Sequence, residues 1–116
     1  MAQTPTIELL FWRECPSWSR ALAELRDAVR DEGLDPNAIN VREIDTDEMA
    51  EREQFVGSPT VRVNGRDVKP PGDDEPLGLT CRIYHLRDGG VSPVPDRVDV
   101  REAIERAAAA TASERS

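Results

Sequence analysis

The sequence offers two candidate nucleophiles, the thiols of Cys15 and Cys81. Cys15 follows a short apolar run, residues 7–12, and directly precedes Pro16. Because proline is favoured at the first position of a helix, this spacing predicts a helix that begins at Pro16 and has Cys15 as its N-cap. The positive end of a helix favours the thiolate, which is the nucleophilic form of cysteine. The pattern therefore predicts a reactive thiol at Cys15, with a residue that merely caps the helix as the alternative.

The second thiol lies in an alternating segment, 81–86, that is typical of a strand. Cys81 could resolve a mixed disulfide or an oxidised form of Cys15, or it could be a packed strand residue, and the sequence leaves both interpretations open. His85 would share a strand face with Cys81 and could tune a thiol, although a strand histidine with an ordinary hydrogen bond is the simpler interpretation. The two cysteines and one histidine lack close spacing, so no metal or other cofactor is predicted. A soft, two-coordinate ion held by both thiolates is the alternative.

The charge of the chain, −8 at pH 7, argues against acidic partners. Nucleic-acid binding relies on lysine and arginine that neutralise phosphates, and anionic membranes attract the same positive residues. No apolar run approaches the roughly 20 residues of a membrane span, and Met1 to Thr6 lacks the features of a signal peptide. We therefore expect a cytoplasmic protein that binds neither nucleic acid nor membrane, in which the two cysteines do not form a structural disulfide.

Strands and a helix are predicted around the first cysteine. The apolar run at 7–12 predicts a strand buried on both faces, and the apolar stripe that follows predicts an amphipathic helix over 16–32. The alternation at 39–44 predicts a second strand, which a right-handed helical crossover would place parallel to the first. At 116 residues the chain has the length of one domain, predicted over 1–110 with a frayed tail at 111–116.

The second half of the chain predicts five further features. In chain order they are a short acidic helix over 48–55, a strand over 60–63 with an Asn64-Gly65 hairpin turn, a loop over 67–78, a strand over 81–86, and a helix opened by Asp99 and Glu102 at capping-box spacing. The order β-α-β-α-β-β-α predicts α/β architecture, with a mixed four-stranded sheet flanked by helices.

The residues around both cysteines resemble the thioredoxin-like superfamily. The likeness lies in an apolar strand that ends in Trp12-Arg13-Glu14-Cys15, in the helix that opens at this cysteine, and in Val56-Gly57-Ser58-Pro59-Thr60 before a later strand. More closely, the runs at 57–63 and 78–84 are similar to a group of small bacterial proteins labelled only as thioredoxin-like, or as relatives of alkylmercury lyase. The resemblance spans residues 6–109 and implies a thioredoxin-like fold.

The resemblance also implies a site. It implies a cis peptide bond before Pro59 beside the Cys15 thiol, and a Ser58 backbone that is left free to pair with an extended substrate. Trp12 and Pro16, on either side of the turn that holds Cys15, are then expected to line the substrate site.

One departure from the thioredoxin pattern limits the chemistry. Thioredoxins use Cys-x-x-Cys, and here Trp18 stands at the second position, so two thiols of one turn cannot cycle. The expected function is a monothiol thioredoxin-like thiol–disulfide oxidoreductase or redox protein. In it Cys15 attacks a disulfide, a peroxide or a glutathione adduct, and Cys81 or an outside thiol resolves the intermediate. The expected partners are thiol or disulfide proteins or low-molecular-weight thiols. The alternatives are a protein that binds a soft metal or an organomercurial, and an interaction domain without chemistry.

Overall fold

The computed structural model describes residues 4–114, with side chains described as far as residue 110. Its strands and α-helices, in chain order, are β1 (Ile7–Phe11), α1 (Trp18–Asp31), β2 (Asn40–Glu43), α2 (Asp47–Arg52), β3 (Thr60–Val63), β4 (Arg66–Asp67), β5 (Tyr84–His85), β6 (Val91–Ser92) and α3 (Arg97–Glu114). A single 3₁₀ turn, Pro36–Ala38, precedes β2. The predicted tail at 111–116 lies partly in α3 and partly outside the described residues.

The main sheet has four strands in the order β2-β1-β3-β4. Leu9 of β1 lies opposite Val41 in a parallel pairing with β2, and opposite Val61 in an antiparallel pairing with β3. Helix α1 makes the crossover between the two parallel strands, which confirms the predicted β-α-β unit. β3 and β4 form the predicted hairpin, in which Asn64 and Gly65 both adopt positive φ, 52° and 80°. The architecture is α/β with a mixed four-stranded sheet.

The fourth strand of this sheet is β4, and the prediction of a sheet strand over 81–86 is wrong. The tight Asn-Gly turn brings β4 back along the outer edge of β3, and that edge is no longer available to a later segment. Of the predicted strand, Cys81 forms one isolated parallel bridge with Ser58, before β3 begins. Tyr84 and His85 pair instead with β6 in a separate two-stranded sheet.

Apolar side chains cover both faces of β1, as its continuous apolar run predicts. Ile7 and Leu9 belong to a cluster between the sheet and helices α1 and α3. Leu10 points to the other face and packs with Ile44 and Phe55 in a second cluster near α2. The last helix, α3, buries Val100, Ile104 and Ala107 in the first cluster. None of the described helices is both long and apolar enough to cross a lipid bilayer.

The starts of two helices differ from the prediction. Helix α1 begins at Trp18 after Ser17, so Pro16 is not its first residue and Cys15 is not its N-cap. Helix α3 begins at Arg97, because the Asp96 carboxylate accepts a hydrogen bond from the Val98 backbone N–H at 2.8 Å. The predicted capping box therefore does not form. Asp99 and Glu102 lie within α3 and form ion pairs with Arg87, which precedes the helix.

Candidate thiol site

Cys15 lies in the turn between β1 and α1, three residues before the helix begins. Its backbone N–H donates to the Trp12 carbonyl at 3.0 Å, and this bond closes the turn and keeps Cys15 outside the helix. The rings of Phe11 and Trp18 stack at 4.3 Å across the same turn and join the end of the strand to the start of the helix. The residue is only 2% exposed. The turn therefore places the thiol beneath the surface of the protein.

Two oxygen atoms lie beside the Cys15 thiol. Its Sγ donates to the Ser58 carbonyl oxygen at 3.5 Å. It also lies 3.4 Å from the Ser17 hydroxyl, in a bond that either group can donate. When Cys15 is a thiolate, Ser17 is the group that can supply a hydrogen bond, because a carbonyl oxygen can only accept. The surroundings thus offer an acceptor to the thiol and a donor to the thiolate.

The loop before β3 forms the opposite wall of the site. The Ser58–Pro59 peptide bond is cis, which confirms the prediction, and both residues are buried. The Thr60 hydroxyl donates to the Gly57 carbonyl at 2.7 Å within this loop. Gly57 has φ 148°, and a Cβ atom there would lie 3.0 Å from the Cβ atom of Arg82. Glycine is required here because another segment of the chain passes directly over it.

That segment is 80–82, and it pairs with the backbone of Ser58. The Ser58 N–H donates to the Thr80 carbonyl at 2.8 Å, and the Arg82 N–H donates to the Ser58 carbonyl at 2.9 Å. The expectation that the Ser58 backbone is free for a substrate is therefore wrong. The chain returns along this loop after the excursion at 68–79 and takes up both hydrogen-bonding groups itself. The Ser58 hydroxyl is also buried, and it finds no hydrogen-bond partner in the described part of the chain.

Cys81 pairs with Ser58, the residue whose carbonyl oxygen contacts the Cys15 thiol. Hydrogen bonding to Cys15, burial and the charge of Cys15 together raise the pKa of Cys81 to about 11, in that order of size. Cys81 therefore keeps its proton at neutral pH. The two cysteines are not joined in a disulfide, and they differ in access, because Cys15 is buried whereas Cys81 is exposed. Two neighbouring thiols can be oxidised to a disulfide when their sulfur atoms come within bonding reach.

A buried arginine, Arg82, fixes the segment that carries Cys81. Its guanidinium group binds the Asp67 carboxylate at 2.6 Å, the Lys69 carbonyl at 2.5 Å and the Thr60 hydroxyl at 3.3 Å. It also lies 4.5 Å from the centre of the Tyr84 ring. Burial raises the pKa of Asp67, and Arg82 opposes that rise. This ion pair is therefore held inside the protein and attaches the 80–82 segment to β3 and β4.

Tyr84 adds a second attachment of the same segment. Its hydroxyl donates to the Pro59 carbonyl at 2.5 Å, and burial raises its pKa. Sequence reasoning missed both Arg82 and Tyr84. The alternation of the segment does place them on one face, opposite Cys81, Ile83 and His85, and that face is the buried one.

The remaining predicted residues lie around the thiols in different roles. Trp12 is half-buried, packs against the second apolar cluster and supplies the carbonyl that closes the Cys15 turn. Pro16 is exposed at the mouth of the turn, and its carbonyl accepts from the Ser19 hydroxyl at 3.4 Å. His85 is exposed in β5, and within residues 4–110 no hydrogen bond joins it to either thiol.

No group of three or more histidine, cysteine, aspartate or glutamate residues in the described chain is placed to hold a metal ion. Comparisons of the sequence with protein-family models and with curated proteins, and of the structure with solved structures, found no match.

Proposed function

We propose that this chain is a thiol–disulfide redox protein with a thioredoxin-like fold, and that Cys15 and Cys81 form its redox couple. The observation that carries the proposal is that Ser58 contacts both cysteines: its carbonyl oxygen accepts from the Cys15 thiol at 3.5 Å, and its backbone pairs with Cys81. Trp18 occupies the position where a second thiol of the same turn would lie. In this proposal Cys81, from a distant segment, serves as the resolving thiol that the Cys15 turn itself lacks.

The arrangement of elements supports the thioredoxin-like fold. Cys15 lies in the turn that joins the first strand of a β-α-β unit to its helix. The loop that contains Pro59 precedes an antiparallel strand, β3, and contacts the thiol through the Ser58 carbonyl. This is the juxtaposition of cysteine turn and proline loop that the resemblance implies.

The reaction exchanges one pair of electrons. An outside disulfide accepts two electrons from Cys15 and Cys81, whose sulfur atoms become bonded to each other, and it leaves as two thiols that carry the two released protons. The exchange passes through a mixed disulfide between one of the two cysteines and the outside molecule. Either a protein disulfide or a low-molecular-weight disulfide satisfies this balance.

Intact-mass and peptide mass spectrometry test the proposal. The reduced protein is treated with a small excess of oxidised glutathione, and the expected product has lost two hydrogen atoms and contains a peptide that links Cys15 to Cys81. Cys15→Ser and Cys81→Ser are the matched controls: neither can form the internal link, and any glutathione adduct that forms on the remaining thiol is expected to be retained. A wild-type product that consists of intermolecular dimers, or of stable adducts without the internal link, would contradict the proposed couple.

The same pair of thiols supports a second candidate function, the binding of a soft metal ion or an organomercurial. Two thiolates suit a two-coordinate soft ion, and the described residues bring no third ligand of the usual kinds to the pair. Titration with silver ion, followed by counting of the free thiols, distinguishes the two functions. Tight binding of one ion that protects both thiols, together with failure of glutathione to form the internal disulfide, would favour metal binding.

A further inference from the structure

The two thiols of the proposed couple differ in their access to solvent. Cys15 is 2% exposed, and the Ser17 side chain and the Ser58 loop lie against it. Cys81 is exposed, in the segment that pairs with the Ser58 loop. Thiol–disulfide exchange requires the attacking sulfur to reach the attacked sulfur directly. Of the two sulfur atoms, that of Cys81 is therefore the one that a molecule in solution can reach directly.

We propose that Cys81 is the sulfur that forms the mixed disulfide with the outside thiol or disulfide, and that buried Cys15 is the internal thiol that forms and breaks the bond to it. This inference rests on the proposed redox function. It reverses the roles expected from the sequence, in which Cys15 meets the partner and Cys81 resolves. The substrate is then recognised on the outer face of the 80–82 segment.

The reductive direction can be written as two balanced steps. An outside thiolate attacks the Cys81 sulfur of the internal disulfide, a new bond forms between these two sulfurs, and Cys15 leaves as a thiolate. A second outside thiolate then attacks the outer sulfur of the mixed disulfide. The outside molecules leave as a disulfide, and Cys81 leaves as a thiolate that takes up a proton. Oxidation of the dithiol by an outside disulfide follows the same steps in reverse.

The surroundings of Cys15 suit the role of internal leaving group. The Ser17 hydroxyl, 3.4 Å from its sulfur, can donate a hydrogen bond to the thiolate as it forms. A leaving thiol departs faster when its negative charge is stabilised. Burial of Cys15 also keeps the thiolate from reacting with outside molecules, so its ready partner is the sulfur of Cys81.

The attachment of the 80–82 segment keeps Cys81 facing outward. Arg82 and Tyr84 point inward and are bound to Asp67 and to the Pro59 carbonyl, whereas Cys81 and Ile83 alternate with them and are exposed. Ile83 is 69% exposed, directly beyond the cysteine. Because the inward side chains are fixed, Cys81 stays exposed to solvent beside the Ser58 loop that contacts Cys15, where it can exchange between an internal and an external partner.

Reaction with dithiobis(nitrobenzoate) tests this order. The reagent transfers one nitrothiobenzoate group to an accessible thiol and releases one coloured thiolate. Folded Cys15→Ser is expected to be labelled on Cys81, and folded Cys81→Ser is expected to be labelled at least about tenfold more slowly, because a buried thiol reacts only after local opening. In guanidinium chloride the two variants should react at equal rates, and this control attributes the difference to the fold. Circular dichroism establishes that both variants are folded.

The same reaction with the wild-type protein distinguishes failure of this inference from failure of the proposed redox function. Under native conditions it should release two coloured thiolates and retain no label, because Cys15 displaces the group first placed on Cys81. Release of two equivalents together with faster labelling of Cys81→Ser would overturn the inference and leave the redox couple intact. Retention of label on the wild-type protein would overturn the couple itself, whichever variant reacts faster.

Discussion

Cys15 donates its thiol hydrogen bond to the carbonyl oxygen of Ser58, over 3.5 Å, and the same oxygen accepts the backbone N–H of Arg82 at 2.9 Å. One atom of the proline loop thus holds both the buried cysteine and the segment that carries Cys81. The relative position of the two thiols is set by this loop and by the Arg82 attachment, without a disulfide between them.

Replacement of Cys15 should make Cys81 more reactive. Hydrogen bonding to Cys15 is the largest cause of the raised pKa of Cys81, about 11, so Cys15→Ala should lower that pKa and increase the thiolate fraction at neutral pH. We expect alkylation of Cys81 by iodoacetamide at pH 7.5 to accelerate roughly 10- to 100-fold. The rate for Cys81 in the wild-type protein should rise about tenfold per pH unit and level off only near pH 11. Equal rates in the two proteins across this pH range would show that Cys15 does not control Cys81.

Replacement of Arg82 should destabilise the fold and loosen the site. Arg82→Met leaves the Asp67 carboxylate buried without its cation, and we expect the free energy of unfolding to fall by about 3–5 kcal/mol. Arg20→Met is the matched control, because it breaks an exposed pair with Glu24 that contributes at most about 1 kcal/mol. Urea unfolding measures both losses. An equal and small loss in the two variants would mean that the Arg82–Asp67 pair does not anchor the segment.

Alanine substitutions of Ser17 and Ser19 test whether a hydrogen bond from Ser17 stabilises the Cys15 thiolate, as distinct from a general effect of altering the start of α1. Ser17→Ala removes the hydroxyl beside Cys15 and should slow the reduction of the Cys15–Cys81 disulfide by dithiothreitol about 3- to 10-fold, the equivalent of one hydrogen bond. The stability cost should be small, because in the described structure the Ser17 side chain caps no backbone N–H of α1. Ser19→Ala, whose hydroxyl binds the Pro16 carbonyl, should leave the rate unchanged. A similar slowing in both would assign the effect to the turn as a whole.

The two hydroxyl groups of the proline loop should respond in opposite directions. The Ser58 hydroxyl is buried without a partner in the described chain, so Ser58→Ala should leave the free energy of unfolding unchanged or raise it by about 1 kcal/mol. Thr60→Val removes a hydroxyl that donates to Gly57 and accepts from Arg82, and it should cost about 1–3 kcal/mol. Thermal unfolding of the two variants provides the measurement. A large loss for Ser58→Ala would reveal a partner of its hydroxyl in solution.

The parts of the fold that the sequence predicts are those with local signals. The apolar run of β1, the stripe of α1 and the Asn64-Gly65 turn each lie within one segment, and each predicts its element without knowledge of the rest of the chain. β4 was missed because two residues, Arg66 and Asp67, are too short and too polar to show a strand pattern. Because β4 occupies the outer edge of β3, the alternating segment at 81–86 cannot join the main sheet there.

The candidate site was predictable only in part, for a similar reason. The identities of Cys15 and Pro59 follow from motifs close to them in the chain. The pairing of Ser58 with Cys81 and the burial of Arg82 depend on contacts between distant segments, and nothing in the local pattern distinguishes the buried face of 81–86 from the exposed one. Burial of Cys15 also depends on the distant Ser58 loop that lies against it. The assignment of roles to the two cysteines therefore needed the tertiary structure.

The distance along the chain between the two thiols links oxidation to folding. A disulfide between neighbours of one turn closes a very small loop, whereas a bond between Cys15 and Cys81 would close a loop that contains three of the four strands of the main sheet, β2, β3 and β4. Such a loop restricts the unfolded chain strongly and, in the chain-entropy model, stabilises the folded protein by about 4 kcal/mol. By the thermodynamic cycle, the bond is favoured by the same amount in the folded chain relative to the unfolded one. Reductant concentration would then act on the lifetime of the protein, because the dithiol form is the one that unfolds, and is digested by proteases, more readily.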